Sequence, residues 1–311
     1  MATTLTVNRM LLGQEIRYLV EEVAKLSQEK AAALIRTNQS RMGSIINGEG
    51  AIKPVELEVL VDRISKLPNV DPRHAAVLRE ADYTEWLAGL VEGGKKRGFW
   101  QTGHFRAVHE DFRRWIGVEQ RADLLRFVGS EVLPDILQTE EYMRSLFSAR
   151  TEDLEATLDE FVQARLARQE VLEDGSAECQ VVMAESCLHN EPIGHAGKSG
   201  AEIMRQQIAR LAELSRRPNV MLQIMPFKAP KPGMGESRAT CFPFLLARVP
   251  SRGLAGPLEI ACYRSPGRLN YIDDKDALGE YQRTWARLTA GALGPDQTRK
   301  YLKTITSLLY Q

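Results

Sequence analysis

The sequence predicts a multidomain chain, with an all-α N-terminal part followed by an α+β C-terminal part. Three observations predict it. Through residues 7–92 apolar side chains recur at helical spacing with no strand-like run among them. A charged, glycine-rich break follows, Gly93-Gly94-Lys95-Lys96-Arg97-Gly98. Beyond it, short apolar runs bounded by proline and glycine mix with helical patterns. At 311 residues the chain is long enough for two separately packed cores. The expected division is a first domain at residues 1–92, a linker at 93–112 and a second domain at 113–311.

The first helix is expected over Val7 to Ala24, where Leu11, Leu12, Ile16, Leu19 and Val23 share a face. A pair of short helices follows within Leu26 to Gly48. Pro54 then opens a helix to about Leu67 and Pro72 another to about Leu90, five helices in all. In the second domain helical patterns cover Asp135 to Phe147, Glu152 to Leu172, Ser199 to Ser215, Asp274 to Ala292 and Pro295 to Leu309. Strands are expected at Ala177 to Ala184, Asn219 to Phe227, Thr240 to Val249, Leu258 to Tyr263 and Arg268 to Ile272.

The pair within Leu26 to Gly48 has the apolar spacing of a helix-turn-helix, with Ala31, Ala32, Ile35, Met42 and Ile45 turned inward. Ser27 caps its first helix, Asn38 its second, and Arg36 and Thr37 form the turn. The same periodicity also fits a plain helical hairpin in a bundle. If the second helix enters a major groove, its outward residues Gln39, Ser40 and Ser44 face base edges, where Gln39 can pair bidentately with adenine. Gln28, Arg41, Asn47 and Lys53 are then placed to contact phosphates. The run LSQEKAAALI, a turn, and NQSRMGSIINGE resembles the XRE (Cro-type) repressor pattern. That resemblance implies a lambda-repressor-like domain that binds double-stranded DNA. The chain departs from it at Arg36, where the family has glycine, and at Ile46, where it has glutamate. The first departure requires Arg36 to adopt a left-handed conformation.

The 41 basic and 41 acidic residues balance, so no global basic field coats nucleic acid and any DNA footprint is local. The four cysteines show no CxxC pairing and no apolar run is long enough to span a membrane, so a reduced, cytoplasmic setting is expected. No nucleophile, acid or metal-ligand set has a diagnostic spacing; the chain reads as no enzyme, with no cofactor. Arg165, Arg168 and Gln169 recur on one helical surface and, with Tyr142 and Trp115, form a candidate ligand or partner surface. The alternatives are an internal salt bridge from the arginines to Glu185 and simple core packing for the aromatics.

LPDILQTEEYMRSLF at Leu133 to Phe147, ARLARQEVL at Ala164 to Leu172, AESCL at Ala184 to Leu188 and MRQQIARLAELSRRPNVMLQIMPF at Met204 to Phe227 together resemble a C-terminal domain of unknown function. That domain is found in actinobacterial WhiJ-like and antitoxin-like regulators. The two resemblances imply a homodimeric, sequence-specific transcriptional regulator whose C-terminal domain senses a small-molecule effector or a protein partner. The alternative they leave open is an antitoxin-like protein that sequesters a small partner and regulates its own synthesis through DNA.

Overall fold

Local signals start and stop the N-terminal helices of this protein, whose computed structural model describes residues 6–95, 105, 108, 110–148, 155–228, 242–265 and 268–309. The chain divides into two units, Met1–Gln101 with Val249–Leu258, and Thr102–Arg248 with Glu259–Gln311.

In the first unit Thr6 Oγ1 accepts the amide of Arg9 and opens α1, Val7–Tyr18, which runs into one π-helical turn at Leu19–Val23. There follow α2 (Gln28–Leu34), α3 (Gln39–Ile46), α4 (Pro54–Ser65), α5 (Pro72–Val77) and α6 (Ala81–Lys95). Ile16, Leu19, Met42, Ile45, Leu60, Ile64 and Leu87 are buried together in the core. Gly13 of α1 lies so near the end of α3 that a Cβ there would sit 2.6 Å from the Ile46 carbonyl oxygen. The single helix expected from Pro72 to Leu90 is two. Leu78 and Tyr83 are both buried, yet five residues on a straight helix would place them about 140° apart. A turn at Leu78–Glu80 brings both inward.

The expected break at Gly93 is also different. α6 continues through Gly93 and Gly94 because α1 is close: a Cβ at Gly93 would fall 2.1 Å from Asn8 Nδ2, and one at Gly94 3.1 Å from Arg9 Cγ. Lys96, Arg97 and Gly98 lie outside the described residues. Glu15, buried inside this unit, accepts the Tyr83 hydroxyl at 2.6 Å and the amides of Leu254 and Ala255 at 2.7 and 3.0 Å.

The second unit is built on a six-stranded mixed sheet of order β3-β2-β1-β4-β5-β6. Its strands are β1 (Leu124–Gly129), β2 (Glu178–Ala184), β3 (Val220–Met225), β4 (Phe244–Val249), β5 (Leu258–Ser265) and β6 (Arg268–Ile272). β1, β2 and β3 run parallel, whereas β4 is antiparallel to β1 and β6 to β5. The helices are α7 (Glu110–Glu119), α8 (Glu140–Ser148), α9 (Glu155–Arg168), α10 (Glu170–Asp174), α11 (Gly200–Leu214), α12 (Lys275–Gly291) and α13 (Pro295–Leu309). On one sheet face Val128, Val182, Phe244 and Leu246 pack with Trp285 and Leu288 of α12. Leu125, Phe127, Cys179, Val181 and Met183, which alternate with these along the strands, are fully buried too. Both faces are therefore covered, as parallel strands require.

Two elements, α7 and β1, were absent from the sequence expectation. β1 reads LLRFVG, too short for periodicity to separate strand from helix, and Arg126 interrupts its apolar run. It is nonetheless an inner strand of the sheet. The helix expected from Asp135 is a 3-10 turn, Asp135–Leu137, followed by α8, because Gln138 is extended. Among the described residues no helix is long and apolar enough to cross a membrane.

Candidate nucleic-acid interface

The α2–α3 pair is fixed by contacts that span only a few residues. Ser27 Oγ accepts the Lys30 amide at 3.3 Å, and Asn38 Oδ1 accepts the Arg41 amide at 2.8 Å, so both helices are capped by side-chain oxygens. Between them the Thr37 amide donates to the Ala32 carbonyl at 3.0 Å and the Arg36 amide to the Ala33 carbonyl at 3.3 Å. This double closure is the Schellman arrangement, which calls for a left-handed residue after the helix. Arg36 supplies it with φ 54°. The expectation from the sequence thus holds at the residue that departs from glycine. Gly48, at φ 72°, ends α3 in the same conformation.

α3 is divided by exposure. Met42, Ile45 and Ile46 are buried, Gln39 and Ser40 are exposed, and Ser44 is half-buried. Gln28 lies against α3, where a Cβ on Gly43 would come 3.2 Å from Gln28 Oε1; a larger residue at 43 would displace it. Lys53, at the start of α4, is exposed. Among the described residues the side chains of Lys30, Arg36 and Lys53 form no ion pair.

Two of the expected phosphate-contact residues are engaged within the protein. Arg41 donates from Nη2 to Glu56 Oε2 at 2.6 Å and to the Ala51 carbonyl at 3.3 Å, and from Nη1 to Thr37 Oγ1 at 3.3 Å. The Glu56 carboxyl is held below its ordinary range, chiefly by Arg41. Arg41 therefore ties α3 to α4. Asn47 Oδ1 accepts from Arg17 Nη2 of α1 at 3.1 Å, which brings Arg17 to this face. Sequence reading missed Arg17, since nothing in the α1 pattern signals a partner thirty positions away.

In the second unit the five residues expected to form a ligand or partner surface do not make one open face. Trp115, Tyr142 and Arg168 are buried, whereas Arg165 and Gln169 are half-buried. The alternative ion pair to Glu185 is not made; Arg168 is paired with two other carboxylates. Arg168 Nε and Nη2 donate to Glu119 at 2.7 and 2.6 Å, Nη1 donates to Asp135 at 2.7 Å, and Trp115 Nε1 donates to the same Glu119 carboxylate at 2.5 Å. Side-chain exposures of 2, 4 and 17% for Arg168, Glu119 and Asp135 make this an interior triad. Arg165 Nη1 donates to Gln138 Oε1 at 3.1 Å, and Gln169 Nε2 to the Gln138 carbonyl at 2.7 Å. Glu185 instead accepts the Phe227 amide at 2.6 Å and the Tyr301 hydroxyl. Burial pushes the Cys179 and Cys187 thiols up to about 12, the behaviour of packed rather than reactive cysteines. Cys241 lies outside the described residues.

The model of a domain of unknown function, DUF5753, matches residues 112–304, more than half of the chain. The chain belongs to the DUF5753 family. The matched span opens within α7, takes in the buried triad and all six strands, and ends within α13. No curated protein and no solved structure matches the chain. The DUF5753 match does not extend over α1 to α6, so the reading of the α2–α3 pair stands on its own geometry.

Proposed function

We propose that this DUF5753 protein is a sequence-specific DNA-binding transcriptional regulator. α2 and α3 act as a helix-turn-helix of the XRE type, and a homodimer sets two copies of α3 into successive major grooves of a double-stranded DNA operator. The DUF5753 domain dimerises the chain and senses an effector or partner. The observation that carries this reading is the division of α3, whose C-terminal half is anchored by Met42, Ile45 and Ile46 while Gln39 and Ser40 project from its capped N-terminal end. That is the end from which a recognition helix reads base edges. Gln39, Ser40 and Ser44 read bases; Gln28, Asn47 and Lys53 contact phosphates; Arg41 fixes the angle of α3 through Glu56. The local charge excess is small, so affinity depends on doubling the contacts in a dimer.

The test is selection of a duplex from a random pool, followed by shift assays. Gln39→Ala and Ser44→Ala should alter sequence preference. Lys53→Ala should weaken all duplexes alike and lower the salt slope by about one. Unchanged affinity and preference in folded Gln39→Ala and Ser44→Ala variants would refute the assignment of α3.

A further inference from the structure

The last turn of α11 and the first half of α13 flank an open cleft of ≈ 400 Å³ lined by Ala212, Ser215, Arg216, Asp296, Arg299, Lys300 and Lys303. Four cations face one carboxylate there, in a chain whose acidic and basic residues balance. The single carboxylate is neutralised locally, since Asp296 pairs with Arg299, whose Nη1 also donates to the Ser215 carbonyl at 3.1 Å. The neighbouring acid on α11, Glu213, is paired with Arg210 at 3.1 Å. Arg216, Lys300 and Lys303 are left exposed, and their side chains have no ion pair or hydrogen bond among the described residues. Lys300 and Lys303 lie one turn apart on one face of α13, and Arg216 comes from beyond the end of α11.

We propose that this cleft binds a small ligand carrying two or more phosphate groups. Three free cations supplied from two elements exceed what one monoanionic group requires, and ammonium and guanidinium donors match phosphate oxygens. The volume falls in the range of small-molecule sites. The lining exposes at least as much apolar as polar surface, so the cations are what select an anionic ligand. A DNA duplex offers its phosphates along an extended line, which fits a concavity of this size poorly. The inference is independent of whether α3 reads DNA.

The test is isothermal titration of the full chain with inorganic tripolyphosphate at low salt. The expected result is saturable one-to-one binding that weakens as salt rises and is much tighter than binding of inorganic phosphate. Lys300→Ala with Lys303→Ala should weaken it about 100-fold, roughly tenfold for each charge-assisted bond removed, with an unchanged melting temperature. Lys275→Ala, on α12, should leave it unaltered. The proposal is overturned by absence of saturable binding, by equal affinity for inorganic phosphate, or by a double variant that binds as well as the parent. A double variant that loses duplex affinity, in a parent that does not bind tripolyphosphate, assigns the cations to DNA and equally overturns it.

Discussion

Replacing Arg168 with leucine tests the interior triad most directly. The substitution keeps only an apolar stem as far as the δ carbon; it removes the guanidinium that faces the Phe112 ring at 4.4 Å and three hydrogen bonds of 2.6 to 2.7 Å to two carboxylates. Breaking a buried ion pair by deleting one partner costs about 3–5 kcal/mol, and one cation serving two acids places Arg168→Leu at the upper end, about 5 kcal/mol. For a unit of this size that lowers the melting temperature by about 10–20 °C. Hydrogen exchange of the α7 and α9 amides in the full chain reports the loss in the right unit. pH gives an independent check. In the parent the two acids diverge: burial raises Glu119 despite Arg168, whereas Arg168 and Arg165 hold Asp135 low against its own burial. Glu119 then contributes stability that is lost as pH rises through its folded value, and Asp135 stability that is lost as pH falls through its own. Without Arg168 both carboxyls are raised, so both contributions fade with rising pH. The variant should be least impaired near pH 4 and most near pH 7. Neutralising the set, with Glu119→Gln, Asp135→Asn and Arg168→Met together, should recover at least half the loss while leaving Trp115 an acceptor. A cost for Arg168→Leu below about 1 kcal/mol, flat from pH 4 to 8, would refute the reasoning.

Arg36→Gly should stabilise the first unit by about 0.5–1 kcal/mol, because glycine takes the left-handed conformation without strain; a loss of stability in urea denaturation would contradict the Schellman closure. Gly13→Ala should destabilise that unit by about 2–3 kcal/mol, since its Cβ meets backbone of Ile46 and Gly48 that cannot rotate away. Thermal melts that move by less than 2 °C would show that α1 and α3 have room to part. Glu56→Gln should cost up to about 1 kcal/mol at neutral pH, because the pair with Arg41 is partly exposed. The folded carboxyl is held low, so its stabilisation is present above the unfolded value and is lost as pH falls through the folded one. Parent and variant should therefore converge in acid, as followed by denaturant midpoints.

The elements legible in the sequence were those fixed over a few residues. Ser27, Asn38 and Arg36 act on amides and carbonyls no more than five positions away, so the α2–α3 pair and its capping could be read directly. α13, opened by Pro295, was equally plain. What escaped depends on partners distant in the chain. β1 is a strand because β2 and β4 flank it, not because LLRFVG declares itself. Arg41 looked free to meet phosphate because Glu56 is fifteen positions on, and Arg168 looked like surface because Glu119 lies forty-nine positions back.

The same distinction separates two groups of cations in the second unit. An arginine judged from its own helix is counted as outward whenever its neighbours are polar, and by that rule Arg168 and Lys300 are indistinguishable. Charge alone therefore does not find a site; charge left uncompensated after folding does. Arg168 is consumed by two carboxylates and serves the interior, so substituting it should unsettle the fold whatever the domain binds. Among the described residues Arg216, Lys300 and Lys303 have no side-chain partner, and they line one cleft, so substituting them should leave the fold alone and remove only what the cleft holds. Stability and tripolyphosphate affinity should thus separate cleanly between the two groups of cations, and a variant of the second group that melted early would mean that its charges, too, are structural.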